Sequence, residues 1–251
     1  MLGMNNSITT ISMCRRRPVA FSPASLSGLV AWYVPSEIST LFQDVEGTMP
    51  VQSDGDPVGL MVDKSGNGNH VYQSNVSARP IFRSSGQLEF DGVDDRLETA
   101  HPIVVPDSPV FMGCAFQHTM LPTSGNGGIM SDARFRKGGI LLGWEGGCPA
   151  IVHNNMVSER KRTFTTQALS TRHGVMGAFV APTGFHYQSD AGELAETSNV
   201  FATATSPLWI GQGTQGGRFG LFAGCFSGGV YASCTENEAR GLVRYLQSCR
   251  R

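Results

Sequence analysis

The stretch DKSGNGNH, residues 63–70, places oxygen-bearing side chains on alternate positions, a pattern that can bind a cation or close a turn. Asp63, Ser65 and Asn67, with the glycine that follows them, match the front half of an EF-hand calcium loop. The twelfth position of such a loop carries a bidentate glutamate, and Ser74 stands there instead. Because a hard cation needs several carboxylates, the pattern favours a structural turn whose polar side chains bond the backbone. The residues assigned to this turn are Asp63, Ser65, Gly66, Asn67, Gly68 and Asn69. Calcium held by Asp63, Ser65 and Asn67 is the alternative, and no other cofactor is predicted.

A second group of side chains that could do chemistry lies in LEFDGVDD, residues 88–95. Glu89 and Asp91 are two residues apart and would project from one face of a strand, and Asp94 joins them if a bulge follows. Two carboxylates on one face are the minimum equipment for glycoside hydrolysis. Acids at this spacing also suit a strand that ends in a turn, and the sequence favours a structural turn at Asp91, Gly92 and Asp94. The sequence therefore predicts no catalytic residue and no enzyme; a glycoside hydrolase that uses Glu89, Asp91 and Asp94 is the alternative.

The remaining motifs give no chemistry. GQGTQG, residues 211–216, matches the dinucleotide pattern G-x-G-x-x-G, but a strand-like run follows it where that site needs a helix N-terminus. The chain contains no G-x-S-x-G elbow, P-loop or H-E-x-x-H motif. None of its six histidines pairs with another at a spacing of four. The basic run SERKRT, residues 158–163, is predicted to be a hairpin tip.

The composition excludes several classes of partner. Of the 251 residues, 40% are apolar and 16% are charged, which suits a folded domain with a core. A net charge of −1 gives no field that recruits nucleic acid, and no apolar run approaches the roughly 20 residues that span a bilayer. The six cysteines form no C-x-x-C pair and are interpreted as free thiols in a reducing cytosol. The chain is therefore predicted to bind no nucleic acid, to insert into no membrane and to be synthesised in a cytoplasm.

The elements that must position these side chains are short strands. The 31 glycines and 13 prolines bound nearly every apolar run, which favours many strands over long helices. Several runs alternate between two faces, as in PVFMGCAFQ, where Val110, Met112, Cys114 and Phe116 share one face. Strands at this spacing, without helices between them, predict an all-β antiparallel sandwich or jelly roll.

One helix is predicted, at residues 235–248, on the outside of the sandwich. Thr235 and Glu238 form a capping box at its start. Ala239, Leu242, Val243 and Leu246 then recur at helical spacing and form one apolar stripe.

The first 26 residues differ from the rest, because no period of 2 or 3.6 persists in them. They are interpreted as an extended N-terminal arm, and residues 27–251 as one domain. Spaced apolar residues and three arginines suit a segment that becomes ordered against a neighbouring subunit. The predicted partner-binding residues are Ile8, Ile11, Met13, Arg15, Arg16, Arg17 and Phe21.

The runs PSEISTLFQD, DPVGLMVDKSGNGNH and FDGVDD, followed by a C-terminal strand and helix, resemble the concanavalin-A-like, laminin-G-like jelly-roll proteins of tailed bacteriophages. The resemblance implies a two-sheet jelly roll in which residues 63–70 and 90–95 are structural. Glucanases of this fold carry E-x-D-x-x-E on a strand, whereas Glu89, Asp91 and Asp94 give E-x-D-x-x-D here.

The resemblance also implies a non-enzymatic structural protein of a phage particle, as a capsid decoration or a tail or fibre component. Its expected location is the virion, after synthesis in the cytoplasm of a bacterial host. Its expected partners are other virion subunits, reached through the arm, and further copies of itself as a homo-oligomer. A lectin-like face that meets host surface glycans is expected to accompany this role, and a glycan-binding adhesin domain is the alternative.

Overall fold

The structure is a computed structural model. It describes residues 21–105, 109–119, 125–133, 138–154, 159–163, 173–189, 191–196, 206–213 and 220–250. The six arm residues from Ile8 to Arg17 that were predicted to bind a partner lie outside the described residues.

The described residues form a sandwich of two antiparallel sheets. The first sheet has eight strands in the order β15-β14-β13-β8-β17-β6-β5, with β1 also paired to β17. Its strands are β1 (Leu29–Tyr33), β5 (Ile81–Arg83), β6 (Gln87–Asp91), β8 (Val110–His118), β13 (His173–Val180), β14 (Gly184–Gln188), β15 (Gly192–Glu196) and β17 (Ala223–Ser233).

The second sheet has nine strands in the order β12-β11-β10-β9-β16-β7-β4-β3-β2. Its strands are β2 (Leu41–Phe42), β3 (Leu60–Met61), β4 (Val71–Tyr72), β7 (Leu97–Pro102), β9 (Asn126–Ser131), β10 (Gly139–Glu145), β11 (Cys148–Asn154), β12 (Glu159–Thr163) and β16 (Pro207–Ile210). The prediction of an all-β antiparallel sandwich is confirmed. The hairpin tip predicted at SERKRT is wrong, because Glu159–Thr163 pairs with β11 as an edge strand.

The core lies between the two sheets and follows the alternation of the strands. Met112, Cys114 and Phe116 of β8 point into it and are almost fully buried. The intervening Phe111 and Ala115 lie on the other face of β8, where they belong to a second apolar cluster with the helix. The period of two in this sequence therefore produces two buried faces on one strand.

The interior of the sandwich also contains polar side chains from both sheets. Tyr231 of β17 donates a hydrogen bond of 2.8 Å to the buried carboxylate of Asp132. His153 of β11 and His186 of β14 are fully buried, and their rings meet edge to face with centroids 5.1 Å apart. These contacts join residues far apart in sequence, so the spacing of the histidines along the chain does not predict them.

Helix α1 (Glu236–Ser248) covers the outer face of the first sheet. Thr235 caps it, and the side chain of Glu238 accepts a hydrogen bond from the Thr235 backbone, so the predicted capping box is present. The four residues of the predicted stripe are all buried. Leu246 lies directly over β8, where a Cβ added at Gly113 would lie 2.7 Å from its Cδ1. The predicted surface helix is therefore confirmed.

The described end of the N-terminal segment packs on the same helix. Phe21 lies against Gly241, where an added Cβ would come within 2.7 Å of the phenylalanine ring. Leu26 is buried in the cluster that holds the helix to the sheet. Residues 21–26 thus lie against the sandwich, and the docking of the preceding residues to a partner stays a prediction. In the described part of the chain, no helix has the length and apolar character needed to span a membrane.

Candidate functional site

The loop from Asp63 to His70 is a turn built around one buried carboxylate. Asp63 Oδ1 accepts hydrogen bonds from the backbone amides of Trp32 (2.8 Å) and Ser65 (2.9 Å). Its Oδ2 lies 2.6 Å from Ser65 Oγ and accepts from the amide of Asn69 at 3.0 Å. Gly66 and Gly68 adopt positive φ, which closes the turn.

The amide side chains of this loop attach it to β1. Asn67 Nδ2 donates to the carbonyl oxygen of Leu29 at 2.7 Å, and Asn69 Nδ2 donates to that of Val30 at 2.9 Å. The polar residues that could have ligated a cation therefore bond protein groups, and donors face both oxygens of Asp63.

We expect the melting temperature of the protein to be the same in excess calcium and in excess chelator. The donors around Asp63 already occupy the lone pairs that a cation would use. A bound ion would stabilise the folded state by mass action, so thermal melts in the two conditions measure occupancy directly. A calcium-dependent rise of several degrees that is lost in Asp63→Asn would contradict the structural interpretation of this loop.

The acidic turn after β6 is also held by its own backbone. Asp91 Oδ1 accepts from the amides of Val93 (2.7 Å) and Asp94 (3.3 Å). Burial raises the pKa of Asp91, but these backbone hydrogen bonds outweigh it and leave the pKa below its usual value. Asp95, which the sequence did not single out, accepts from the amide of Asp91 at 2.9 Å, and burial raises its pKa to about 6. Carboxylate oxygens of Asp91, Asp94 and Asp95 lie within 4.8 Å of one another.

Two of the three acids of the hydrolase alternative, Glu89 and Asp91, have structural contacts through their side chains. Glu89 forms an ion pair with Arg83 of the neighbouring strand β5. Asp91 closes the turn described above, which also contains Asp94. The ion pair of Glu89 and the hydrogen bonds of Asp91 give both carboxylates a role in holding the fold, without a bound substrate.

An open groove of about 500 Å³ lies elsewhere, on the second sheet. Seven residues line it: Val45, Tyr72, Ser74, Glu98, Thr99, Ala100 and Pro207. A volume of this size lies within the range of small-molecule sites.

Strand register explains why two polar side chains meet in this groove. Val71 and Leu97 are fully buried in the core between the sheets. Their neighbours Tyr72 and Glu98 therefore lie on the outer face of the second sheet. Tyr72 of β4 is directly opposite Glu98 of β7, so the phenol and the carboxylate share one wall. Both side chains are partly exposed.

A tryptophan on the next strand holds the carboxylate. Trp209 of β16 is directly opposite Glu98, and its Nε1 donates to Glu98 Oε2 at 2.8 Å. Trp209 is only 2% exposed, so it is fixed by packing. The ring of His70 meets that of Tyr72 edge to face, with ring centroids 6.3 Å apart. The resulting surface has an aromatic side chain and an oriented acceptor, which can stack on and hydrogen bond a sugar ring.

Sequence reasoning missed this groove because its residues are distant along the chain and belong to no motif. The only signal in the sequence was that an apolar residue, Val71 or Leu97, comes directly before Tyr72 or Glu98, which indicates that each pair faces opposite sides of a strand. That signal does not show which strands lie side by side.

The chain is similar in fold to solved structures of glycosidases. A sialidase from Trypanosoma rangeli in complex with sialic acid matches with a TM-score of 0.57 and 12% identity over 90% of this chain and 34% of that one. A GH54 α-L-arabinofuranosidase soaked with a cyclic sulfate inhibitor matches with a TM-score of 0.54 and 12% identity over 89% of this chain and 63% of that one. An arabinofuranosidase complexed with arabinofuranosyl-α-1,2-xylobiose matches with a TM-score of 0.50 and 12% identity over 77% of this chain and 51% of that one.

No model of a protein family matches the chain, and no curated protein matches it in sequence. At 12% identity the structural likeness shows a shared sandwich fold. This chain spans about a third of the sialidase and less than two thirds of each arabinofuranosidase.

These likenesses correct one expectation. The prediction that the chain is not an enzyme is contradicted, because the structures that share its fold include glycoside hydrolases. What the likeness shows is a two-sheet β-sandwich that structures of glycosidases also contain. The phage particle, its subunits and the homo-oligomer stay predictions from the sequence, since none of these similar structures is described as a phage protein.

Proposed function

We propose that this sandwich is a carbohydrate-active domain that binds a glycan in the groove between Tyr72 and Glu98. The observation that carries the proposal is the register pairing of these two residues on the wall of an open groove. The sandwich fold it shares with glycosidases supports the same ligand class.

The chemistry of the groove suits a sugar. The apolar C–H face of a sugar ring can pack on the phenol ring of Tyr72, with its hydroxyl groups free to reach polar partners. A carboxylate oxygen of Glu98 can accept a hydroxyl hydrogen, and a charge-assisted bond of this kind is stronger than a neutral one. Val45 and Pro207 supply apolar surface at the rim.

The opposite face of the sandwich is a poorer candidate. Helix α1 packs across β8 and β13 there and buries Phe111, Val175 and Phe179. The outer face of the second sheet, by contrast, has an accessible groove lined by described residues.

Replacing Tyr72 with alanine should weaken glycan binding by at least about tenfold, which corresponds to about 1.4 kcal/mol. The loss follows from removing the stacking surface while leaving the sheet backbone in place. Isothermal titration with arabinofuranosyl-xylobiose, lactose and related neutral oligosaccharides measures the effect, after a glycan array selects the best ligand.

The matched control is Tyr187→Ala. Tyr187 is also partly buried, but it lies on the first sheet, where its hydroxyl accepts from Gln247 of α1 at 2.6 Å. Equal losses in the two variants, or no binding by the unmodified protein, would contradict the assignment of the groove.

Hydrolysis should be measured in the same samples, because the similar structures include glycosidases. Glycoside hydrolysis uses a pair of carboxyl groups, and Glu98 is the carboxylate that the groove wall supplies. Any release of reducing sugar by the protein should therefore fall with Glu98→Gln, whereas release unaffected by this change would place the chemistry outside the groove.

A further inference from the structure

Among the residues that the structure describes, those that line the groove carry charge of one sign only. Among its seven lining residues Glu98 is the only acid, and none is lysine, arginine or histidine. A carboxylate with no cation in the same wall creates a negative potential over the bound ligand.

The orientation of this carboxylate is fixed from behind. The indole Nε1 of Trp209 donates to Glu98 Oε2 at 2.8 Å, and Trp209 is almost fully buried. The hydrogen bond fixes the position of Oε2 relative to the buried indole ring. It also restricts the rotamers of Glu98, so the charge stays in the groove wall.

Basic residues stand beside the groove in the described part of the chain, at His70, Arg79, Arg96 and His101, but none of them is among the residues that line it. Arg79 donates from Nε to the carbonyl oxygen of Gln73 at 2.9 Å, from Nη1 to that of Gln43 at 2.8 Å and from Nη2 to that of the lining residue Ser74 at 3.4 Å, so its guanidinium is engaged with backbone groups. His70, beside Tyr72, accepts a hydrogen bond from the amide of Asp63 at its Nδ1. This contact holds the ring against the backbone of Asp63, and His70 is not among the residues that line the groove.

From these contacts we infer that the groove selects glycans that lack carboxylate and sulfate groups. Glu98 is the specificity-determining residue, and Trp209 is a positioning residue that holds it. The inference rests on the proposed function and adds the charge class of the ligand. An acidic sugar would bring a second negative charge beside Glu98, and none of the described lining residues supplies a cation to pair with it, which disfavours that ligand relative to a neutral one.

The experiment uses matched pairs of oligosaccharides that differ by one acidic sugar. Lactose is compared with sialyllactose, and xylotriose with its glucuronic-acid-substituted form, by isothermal titration on the full chain. We expect the unmodified protein to bind the neutral member of a pair at least about tenfold more tightly. Glu98→Gln keeps the shape and removes the charge, so the ratio between the two affinities should fall to near one.

Salt and a second variant test the electrostatic and positioning roles. Raising the salt well above the ~0.1 M at which the Debye length is about 10 Å should reduce the ratio in the unmodified protein and leave it unchanged in Glu98→Gln. Trp209→Phe removes the indole donor and keeps an aromatic ring, so it should also lower the ratio of neutral to acidic affinity. If Trp209 contributes only packing, the same change will lower the stability of the protein and leave this ratio unchanged.

The outcomes separate the two proposals. If acidic and neutral partners bind equally, or the acidic one binds more tightly, the inference about charge is wrong and the groove can still be a glycan site. If neither member of any pair binds, the proposed function fails and the inference fails with it.

Discussion

Replacing Leu246 with alanine is expected to lower the free energy of unfolding by about 3 kcal/mol, within the range for leucine-to-alanine changes in cores. Leu246 is fully buried between α1 and the outer face of the first sheet. Its Cδ1 fills the space above Gly113 of β8, where the absence of a side chain admits it. Truncation would leave a cavity at this contact, because the helix and the sheet cannot both collapse into it. Urea unfolding followed by tryptophan fluorescence measures the change.

Arg244→Ala is the matched control for this prediction. Arg244 lies on the same helix but is exposed, so its replacement should change the free energy of unfolding by no more than about 0.5 kcal/mol. A neutral result for Leu246→Ala would mean that α1 contributes nothing to the stability of the sandwich, against the packing described here.

Replacing Asp132 with asparagine is expected to make the protein more stable at pH 8 by up to about 3 kcal/mol, and to leave its stability near that of the unmodified protein at pH 4. Asp132 is fully buried, and burial raises its pKa to about 6 in spite of hydrogen bonds from the Ile140 amide and the Tyr231 hydroxyl. In the unfolded chain this pKa returns to about 3.9.

The direction of this pH dependence follows from how many protons the folded and unfolded states bind. Between pH 4 and pH 6 the folded state binds the proton of Asp132 and the unfolded state does not, so this group makes the protein less stable as the pH rises through that window. Above pH 6 the folded state contains a buried negative charge, and asparagine removes that charge while keeping an oxygen that can accept from Ile140. Stability is measured by urea unfolding at several pH values, and the difference between the two proteins isolates the group.

Tyr231→Phe provides the opposite control. It removes the hydroxyl that donates to Asp132 Oδ2 at 2.8 Å, so the buried carboxylate loses a partner. Its cost should therefore be larger at pH 8 than at pH 4, because a charged carboxylate needs the donor more than a protonated one does. A stability difference between Asp132→Asn and the unmodified protein that does not vary with pH would show that Asp132 keeps an ordinary pKa in the folded state.

The local features of the fold were predictable because neighbouring residues encode them. The capping box of Thr235 and Glu238 depends on a spacing of three residues, and the structure contains it. Residues directed at the two faces of the sheet alternate along β8 as the sequence pattern indicates, and both faces are buried. The polar residues of the loop after Asp63 bond backbone groups within a few residues and along β1, as their types suggest. Where two local patterns compete, prediction failed: the charged run at Glu159–Thr163 resembles a hairpin tip but forms a strand, since β11 offers it a pairing edge.

The sequence by itself determined that this chain forms short antiparallel strands, one capped amphipathic helix and polar turns, because periodicity, capping and turn formation are decided by residues a few positions apart. Only the tertiary structure decided that Tyr72, Glu98 and Trp209 stand in one row across β4, β7 and β16. It also decided that His153 meets His186 between the sheets. The order and register of strands are set by the packing of the whole core, which favours one arrangement over others by the sum of many small contacts. A site assembled across strands therefore becomes visible only when those contacts are in place.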